Sequence, residues 1–260
     1  MTNEGGHKIF QEERMRIIMR ILEKENRVLI NDLCQILNTT AVTVRKDLDL
    51  LEKQGALKRT HGGAILYKPL FHGLALNEKE KLHAAEKERI AKEAVKLISE
   101  GDVIILDSGS TTTQLAKHMK NLKDITVITN AVNIAFELID SDLEVILTGG
   151  FFQKKSSTLI GPLAEETLKK ISADKLFHGV DGIDYEHGLT TTNVIEANTS
   201  HVMMQRAGEN ILLVDSSKFG RRSLGVISQI KEVDKIITTK EMGDAEKKKL
   251  SDLGIEIVIV

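Results

Sequence analysis

The chain has 260 residues, of which 41% are hydrophobic and 28% charged, with 36 Lys and Arg against 38 Asp and Glu for a formal net charge of −2. That is ordinary for a globular chain large enough for two domains, and no segment approaches the roughly 20 apolar residues of a membrane span. The opening MTNEGGHKIFQEER lacks the apolar stretch of a signal peptide, so a cytoplasmic protein is expected. The single cysteine, Cys34, excludes an internal disulfide. No metal-ligand spacing occurs among the eight histidines, and neither metal nor cofactor is expected. Charge is uneven: residues 1 to 68 hold 12 Lys and Arg against 9 Asp and Glu, a net of +3, leaving −5 for the remainder. A modest basic bias of this kind raises the case for DNA only slightly, since such a segment is usually a solvated surface.

The first element is a helix in which Ile17, Ile18, Ile21 and Leu22 recur at helical spacing. INDLCQIL follows as a short second helix through Leu33, Ile36 and Leu37, with Cys34 in its apolar pattern. Thr40 is a good N-cap for a third helix, AVTVRKDLDLLEKQ, whose Ala41, Val44, Leu48 and Leu51 form one stripe and whose stop is Gly55. A period of 3.6 residues puts Thr43 and Lys46 on the opposite face with Arg45 beside them, all in the early turns. Those are the positions from which the recognition helix of a helix-turn-helix approaches base edges. ALKRT and AILY then flank HGG, which reads as a β-hairpin and hence a wing. Thr40, Thr43, Arg45, Lys46, Arg59 and His61 are therefore the expected DNA contacts. The winged helix-turn-helix domain is placed at residues 1–67.

KPLFHGLALNEKE, residues 68 to 80, lacks a clear period and contains one of the two prolines, so it is expected to be a linker. A domain of residues 81–260 follows. After the amphipathic AAEKERIAKEAVKLI, the runs DVIIL, ITVIT, EVILT, DKLFHGV, NILLVD, KIITT and IEIVIV alternate with helical stretches such as TTTQLAKHM. This pattern predicts a mainly parallel α/β sheet, whose ligands bind beyond the carboxyl ends of the strands. The segments at those ends include DSGSTTT, TNAV, TGG and VDSSKFG.

DSGSTTT places Ser108, Gly109, Ser110, Thr111 and Thr112 at a helix N-terminus, where amide groups and the helix dipole favour an anion such as phosphate. Asp107, itself anionic, suits sugar hydroxyls better. The same residues would also make a well-capped strand-to-helix turn. Joined with Thr129, Asn130, Gly149, Gly150 and Lys218 at other strand ends, they are expected to form an effector pocket.

TTAVTVRKDLDLLEKQGALKRTHGGA resembles the winged helix of the DeoR family of bacterial transcriptional regulators, with Thr40 where that family usually has Ser. LDSGSTT, TN, LTGG, GVDGID, GLTTTN and VDSSKFG occur in the order seen in the DeoR effector domain. The resemblance is greatest to regulators of amino-sugar operons of the N-acetylgalactosamine type. It implies a sugar-phosphate-sensing domain similar in fold to ribose-5-phosphate isomerase. Isomerases of that fold carry Asp-Gly-Ala-Asp, a Lys-Gly-Gly-Gly and a following Glu. Asp181 and Asp184 match the acids, and Glu196 stands where the Glu would fall. LTTTN, residues 189 to 193, replaces the lysine motif and leaves no lysine for proton transfer.

Asp181 and Glu196 thus join the expected effector contacts. The resemblance implies a homo-oligomeric repressor, a dimer or tetramer, with double-stranded operator DNA and a phosphorylated sugar as partners. The alternative, a sugar-phosphate isomerase or deaminase with an added helical domain, gives the winged helix no purpose and lacks the lysine. A helix-turn-helix protein whose α/β domain only oligomerises would share these motifs, and ligand titration separates the two.

Overall fold

A computed structural model describes residues 10–25, 27–53, 57–60, 62–66 and 74–260. The chain divides into two units, residues 1–69 and 70–260. In the first, α1 (Gln11–Glu25) leads through β1 (Arg27–Leu29) into α2 (Ile30–Ile36) and α3 (Ala41–Lys53). β2 (Leu57–Thr60) and β3 (Gly63–Leu66) follow. The apolar stripes meet as read: Ile18 and Leu22 of α1, Leu33 of α2 and Val44, Leu48 and Leu51 of α3 share one core, against which Cys34 packs.

The expected hairpin is present, and β3 also pairs antiparallel with β1, giving the order β1-β3-β2. Three residues carry too little alternation to announce β1. Gly63 is what allows the third strand, since a Cβ there would fall 1.9 Å from the Val28 carbonyl oxygen. Gly55 and His61 lie outside the described residues.

One charged residue of α3 points inward. Asp47 is fully buried and accepts from Arg14 Nε at 2.7 Å, from Arg14 Nη2 at 3.1 Å and from Gln11 Nε2 at 3.2 Å. This two-pronged ion pair ties α1 to α3, and donating to the Asp47 carboxylate holds the Arg14 guanidinium above its ordinary pKa.

The second unit begins earlier than expected. Residues 74–80 of the anticipated linker belong to it, because α4 (Leu76–Lys81) buries Leu76 and the Leu76 amide donates to the Lys155 carbonyl at 3.0 Å. The segment is short and charged, so its single apolar anchor is invisible to periodicity.

The remaining elements are α5 (Ala84–Ala94), β4 (Val103–Leu106), α6 (Ser110–Met119), β5 (Thr126–Thr129), α7 (Val132–Glu137), β6 (Glu144–Leu147), β7 (Phe151–Gln153), β8 (Thr158–Ile160), α8 (Pro162–Leu168), β9 (Ala173–His178), β10 (Gly182–Asp184), β11 (Gly188–Thr191), α9 (Val194–Met204), β12 (Ala207–Leu213), β13 (Gly225–Ser228), β14 (Lys235–Thr238), α10 (Asp244–Asp252) and β15 (Glu256–Ile259).

Seven of these strands form one sheet, in the order β15-β14-β12-β9-β4-β5-β6, and every pairing within it is parallel. They are the seven runs read from the sequence. Both faces are covered, which is why the central strands are apolar throughout: Ile105 and Leu176 pack on one face, Ile104, Leu106 and Phe177 on the other. The short pairs β7-β8 and β10-β11-β13 are antiparallel additions. The strand order reverses between β4 and β9. From β4 the chain builds outward to β5 and β6, and from β9 to β12, β14 and β15, leaving a crevice between the carboxyl ends of β4 and β9.

Candidate functional sites

In the first unit, the start of α3 has the anticipated cap. Thr43 N donates to Thr40 Oγ1 at 3.3 Å and the two hydroxyls are 3.1 Å apart. Arg45 and Lys46 are exposed on the early turns, with Thr43 half-buried beside them. Arg59 is placed differently. Its guanidinium pairs with Asp49 and donates to the Arg45 carbonyl at 3.2 Å, while its amide donates to Glu52 at 2.7 Å. It pins β2 to α3 and supports the helix face that carries Arg45.

In the second unit, a cavity of about 260 Å³ opens at the β4/β9 crevice. β4 ends in Asp107, and α6 begins at Ser110 behind Gly109, a cap residue with φ 148° and no side chain to bond the helix amides. The hydroxyls of Thr112 and Thr113 instead donate to the Gly109 carbonyl, at 3.0 and 2.7 Å. The first turn of α6 is therefore without a side-chain cap, and Ser108, Gly109, Ser110 and Thr111 line the cavity.

Asp107 is buried and accepts from Ser200 Oγ and from the Ser108 amide, both at 2.7 Å. Burial pushes its carboxyl up to about 6 against those two bonds. Across the crevice, Asp181 accepts from Lys79 Nζ at 2.5 Å, Thr191 Oγ1 at 3.1 Å and the Thr192 amide at 3.3 Å. Burial raises this carboxyl, and the charges of Lys79 and Lys218 outweigh it and keep it below the usual range. Lys218 also lines the cavity. Burial lowers its ammonium, with Asp215 and Asp181 acting the other way. No hydrogen bond or ion pair within the described residues occupies it. Glu196 accepts from Ser156 Oγ and from Thr158 Oγ1 at 3.4 Å.

The structure therefore brings Asp107, Ser108, Gly109, Ser110, Thr111, Asp181, Glu196 and Lys218 together. Thr112, Thr129, Asn130, Gly149 and Gly150 stay out of the cavity lining. Thr112 is fully buried with its hydroxyl on Gly109. Thr129 bonds the Leu106 carbonyl at 2.6 Å, and the Asn130 carbonyl receives the Leu159 amide at 2.7 Å. Both glycines follow β6, two strands away from the crevice. A Cβ on Gly150 would fall 2.8 Å from the Ile160 carbonyl oxygen, so this glycine serves packing against β8. Asp184 turns away to His187, whose Nδ1 lies 2.9 Å from its Oδ1.

Sequence reading missed Lys79, Thr191, Thr192 and Ser200. They reach the site through topology, from α4, β11 and its end, and the middle of α9. Among the described residues no group of His, Cys, Asp and Glu is placed to hold a metal ion, and no helix is long and apolar enough to cross a membrane.

Residues 14–69 match the DeoR-like helix-turn-helix domain and residues 82–240 match the DeoR C terminal sensor domain. The chain belongs to the DeoR family. A protein of Escherichia coli O157:H7 named for repression of the aga operon is 36% identical to this DeoR member over 265 residues, spanning 100% of this chain and 98% of its own. The transcriptional repressor GlcR of Bacillus subtilis (strain 168) is 36% identical over 254 residues, covering 96% and 97% of the two chains. The regulator GolR of Listeria innocua is 35% identical over 252 residues, covering 96% and 99%.

Among solved structures, the full-length sorbitol operon regulator SorC of Klebsiella pneumoniae aligns over 91% of this chain and 98% of its own at 12% identity and a TM-score of 0.40. Ribose 5-phosphate isomerase of Methanocaldococcus jannaschii aligns over 51% and 53% at 22% identity and a TM-score of 0.39. Neither likeness bears on what the cavity holds. The curated relatives are named as regulators, and this DeoR chain is a DNA-binding transcriptional regulator, not an enzyme.

Proposed function

We propose that this DeoR regulator represses a sugar or amino-sugar catabolic operon as a homo-oligomer, and that a phosphorylated sugar in the cavity sets its affinity for operator DNA. The observation that carries this reading is the uncapped first turn of α6 opening into the same cavity as the unpaired ammonium of Lys218. Free helix amides and a lone cation are what a phosphate needs, and Asp107, Asp181 and Glu196 supply acceptors for hydroxyl or amino groups beyond it. The relatives named for the aga operon and for repression agree with it.

The cavity holds Asp181 in place through Thr191 and the Thr192 amide, both within the LTTTN segment. That arrangement orients a carboxylate, and the LTTTN segment itself contributes no lysine beside it. On α3, Arg45 and Lys46 are assigned to base and phosphate contacts, with Thr40 fixing the helix start.

The test uses the full chain and an operator selected from random-sequence duplex DNA, followed by fluorescence anisotropy. Ribose 5-phosphate, glucose 6-phosphate and galactosamine 6-phosphate are compared with inorganic phosphate and with the unphosphorylated sugars. At least one phosphorylated sugar should shift operator affinity about 5- to 150-fold, the usual range of coupling between two sites. Unphosphorylated sugars that act equally well would sink the phosphate assignment.

A further inference from the structure

The cavity has a roof that belongs to the segment tying the two units together. Leu74, Leu76 and Lys79, on and just before α4, line it, and residue 74 is eight positions beyond the end of β3 of the winged helix. α4 packs against α6 and is held by buried Leu76, the amide bond from Leu76 to Lys155, the Lys79–Asp181 ion pair at 2.5 Å and a grip from α5.

That grip is Lys87, almost wholly buried, whose ammonium donates to the carbonyls of Lys79 and Leu82 and so closes the last turn of α4. Its neighbour Glu86 reaches the other side of the cavity. It accepts from the Ser216 amide at 3.1 Å and from the hydroxyls of Ser216 and Thr239 at 3.0 and 2.8 Å, bracing the turn that carries Lys218. Lys79 and Lys218, two of the three lysines that line the cavity, are thus supported from adjacent residues in the first turn of α5. Between α4 and α5 the chain turns through His83, a non-glycine residue at φ 53° and ψ 33°.

We propose that α4 is the element that passes cavity occupancy to the DNA-binding unit, and that the contact a ligand changes is Lys79 on Asp181. The proposal rests on the reading of the cavity as a sugar-phosphate site. An incoming phosphate carries up to two negative charges, against one on Asp181, and polyol hydroxyls compete for the Asp181 oxygen that Lys79 occupies. Lys79 exchanges its partner from Asp181 to the ligand, and α4 shifts about the His83 corner while Lys87 keeps its last turn intact. α4 follows the wing in chain order, and its shift is passed to the DNA-binding unit through that covalent connection. A ligand can move the DNA equilibrium only through contacts that differ between two states, and this is such a contact.

The experiment pairs a variant with the sugar-phosphate panel above, using the full chain throughout. Without any ligand, Lys79→Met should change operator affinity in the direction that the active panel member changes the parent, by a factor of about 5 or more. In hydrogen exchange, the amides of residues 76–82 should exchange faster in parent protein on adding that panel member, and equally fast in Lys79→Met without it. Lys79→Arg keeps a cation on Asp181, and its ligand-free operator affinity should lie closer to the parent than that of Lys79→Met, which separates a broken contact from a broken fold. Parental operator affinity in Lys79→Met, alongside a panel member that does shift the parent, would overturn the α4 route and leave sugar-phosphate sensing standing. A panel that leaves the parent unmoved would overturn the sensing reading and this proposal together.

Discussion

The two units solve opposite problems with the same kinds of side chain. In the winged helix the assigned contacts, Arg45 and Lys46, stand in solvent on an exposed helix face, and the buried charge, Asp47, is purely structural. In the α/β unit the assigned contacts line a crevice, and Asp107 is itself buried. A surface that reads a large polyanion needs charge on the outside and a rigid helix behind it. A site for a small ligand needs desolvated groups already held in place, so its polar residues are bonded to one another before anything arrives.

The comparison breaks most visibly at Arg14. Arg14→Met leaves the Asp47 carboxylate buried without its counter-charge, with Gln11 still donating to it, a loss of about 3–5 kcal/mol for a buried pair. Urea denaturation of the full chain should show the winged helix unfolding early, with operator binding lost and the sugar-phosphate affinity kept. A single unshifted transition would show that Asp47 does not depend on Arg14.

Lys218 gives the mirror image. Lys218→Ala removes a charge-assisted bond worth about 1.5–3 kcal/mol, or about ten- to hundredfold in ligand affinity, while operator binding stays intact. Isothermal titration of parent and variant with the active sugar phosphate decides it, and equal dissociation constants would remove Lys218 from the site. On the other unit, Arg45→Ala or Lys46→Ala should weaken operator binding by about 1–3 kcal/mol where the side chain contacts a base. A phosphate contact would instead lower affinity evenly across sequences and reduce the salt slope by about one. Parental binding by both variants at every salt concentration would move the recognition surface elsewhere.

The fourth expectation concerns His178, at the end of β9. Among the described residues neither buried ring nitrogen has a hydrogen-bond partner, and burial lowers its pKa to about 4. The unfolded chain protonates this histidine near 6.5 and the folded one does not, so stability is lost as pH falls from about 6.5 to 4. At pH 5 that loss is about 2 kcal/mol. Asp107, raised to about 6, works with the opposite sign in the same window, binding more protons when folded. In His178→Leu the gap in stability between pH 7 and pH 5 should shrink by about 2 kcal/mol. An unchanged gap in thermal melts would show that the imidazole finds a partner or water in solution.

What could be read in advance divides along physical lines. The helix–helix–helix–hairpin order and the seven parallel strands were legible because each writes an apolar stripe or a continuous run of apolar residues into the sequence. β1, β7 and β10 have three residues each and α4 has six, too few to do so. In the site, the loop after β4 was legible because a strand, a glycine and a run of hydroxyl residues before a helix describe one local geometry. Gly149 and Gly150 looked the same and differ only in strand order, which no local pattern contains. Lys79 and Ser200 were out of reach for the same reason. Each is ordinary on its own helix and becomes part of the site only when the sheet is assembled.

The reversal of strand order between β4 and β9 also has a consequence in time. β4 is an interior strand of the sheet, yet its partner on one side, β9, lies about 70 residues downstream, with Ile104 opposite Lys175. At roughly 5–20 residues per second, a ribosome leaves one edge of β4 open for several seconds after β5 and β6 are available to pair with the other. Closing so distant a parallel pair is entropically slow, and an open apolar edge is a template for other chains. The crevice between β4 and β9 is therefore also a seam at which the nascent chain stays open to misassembly until β9 has been made.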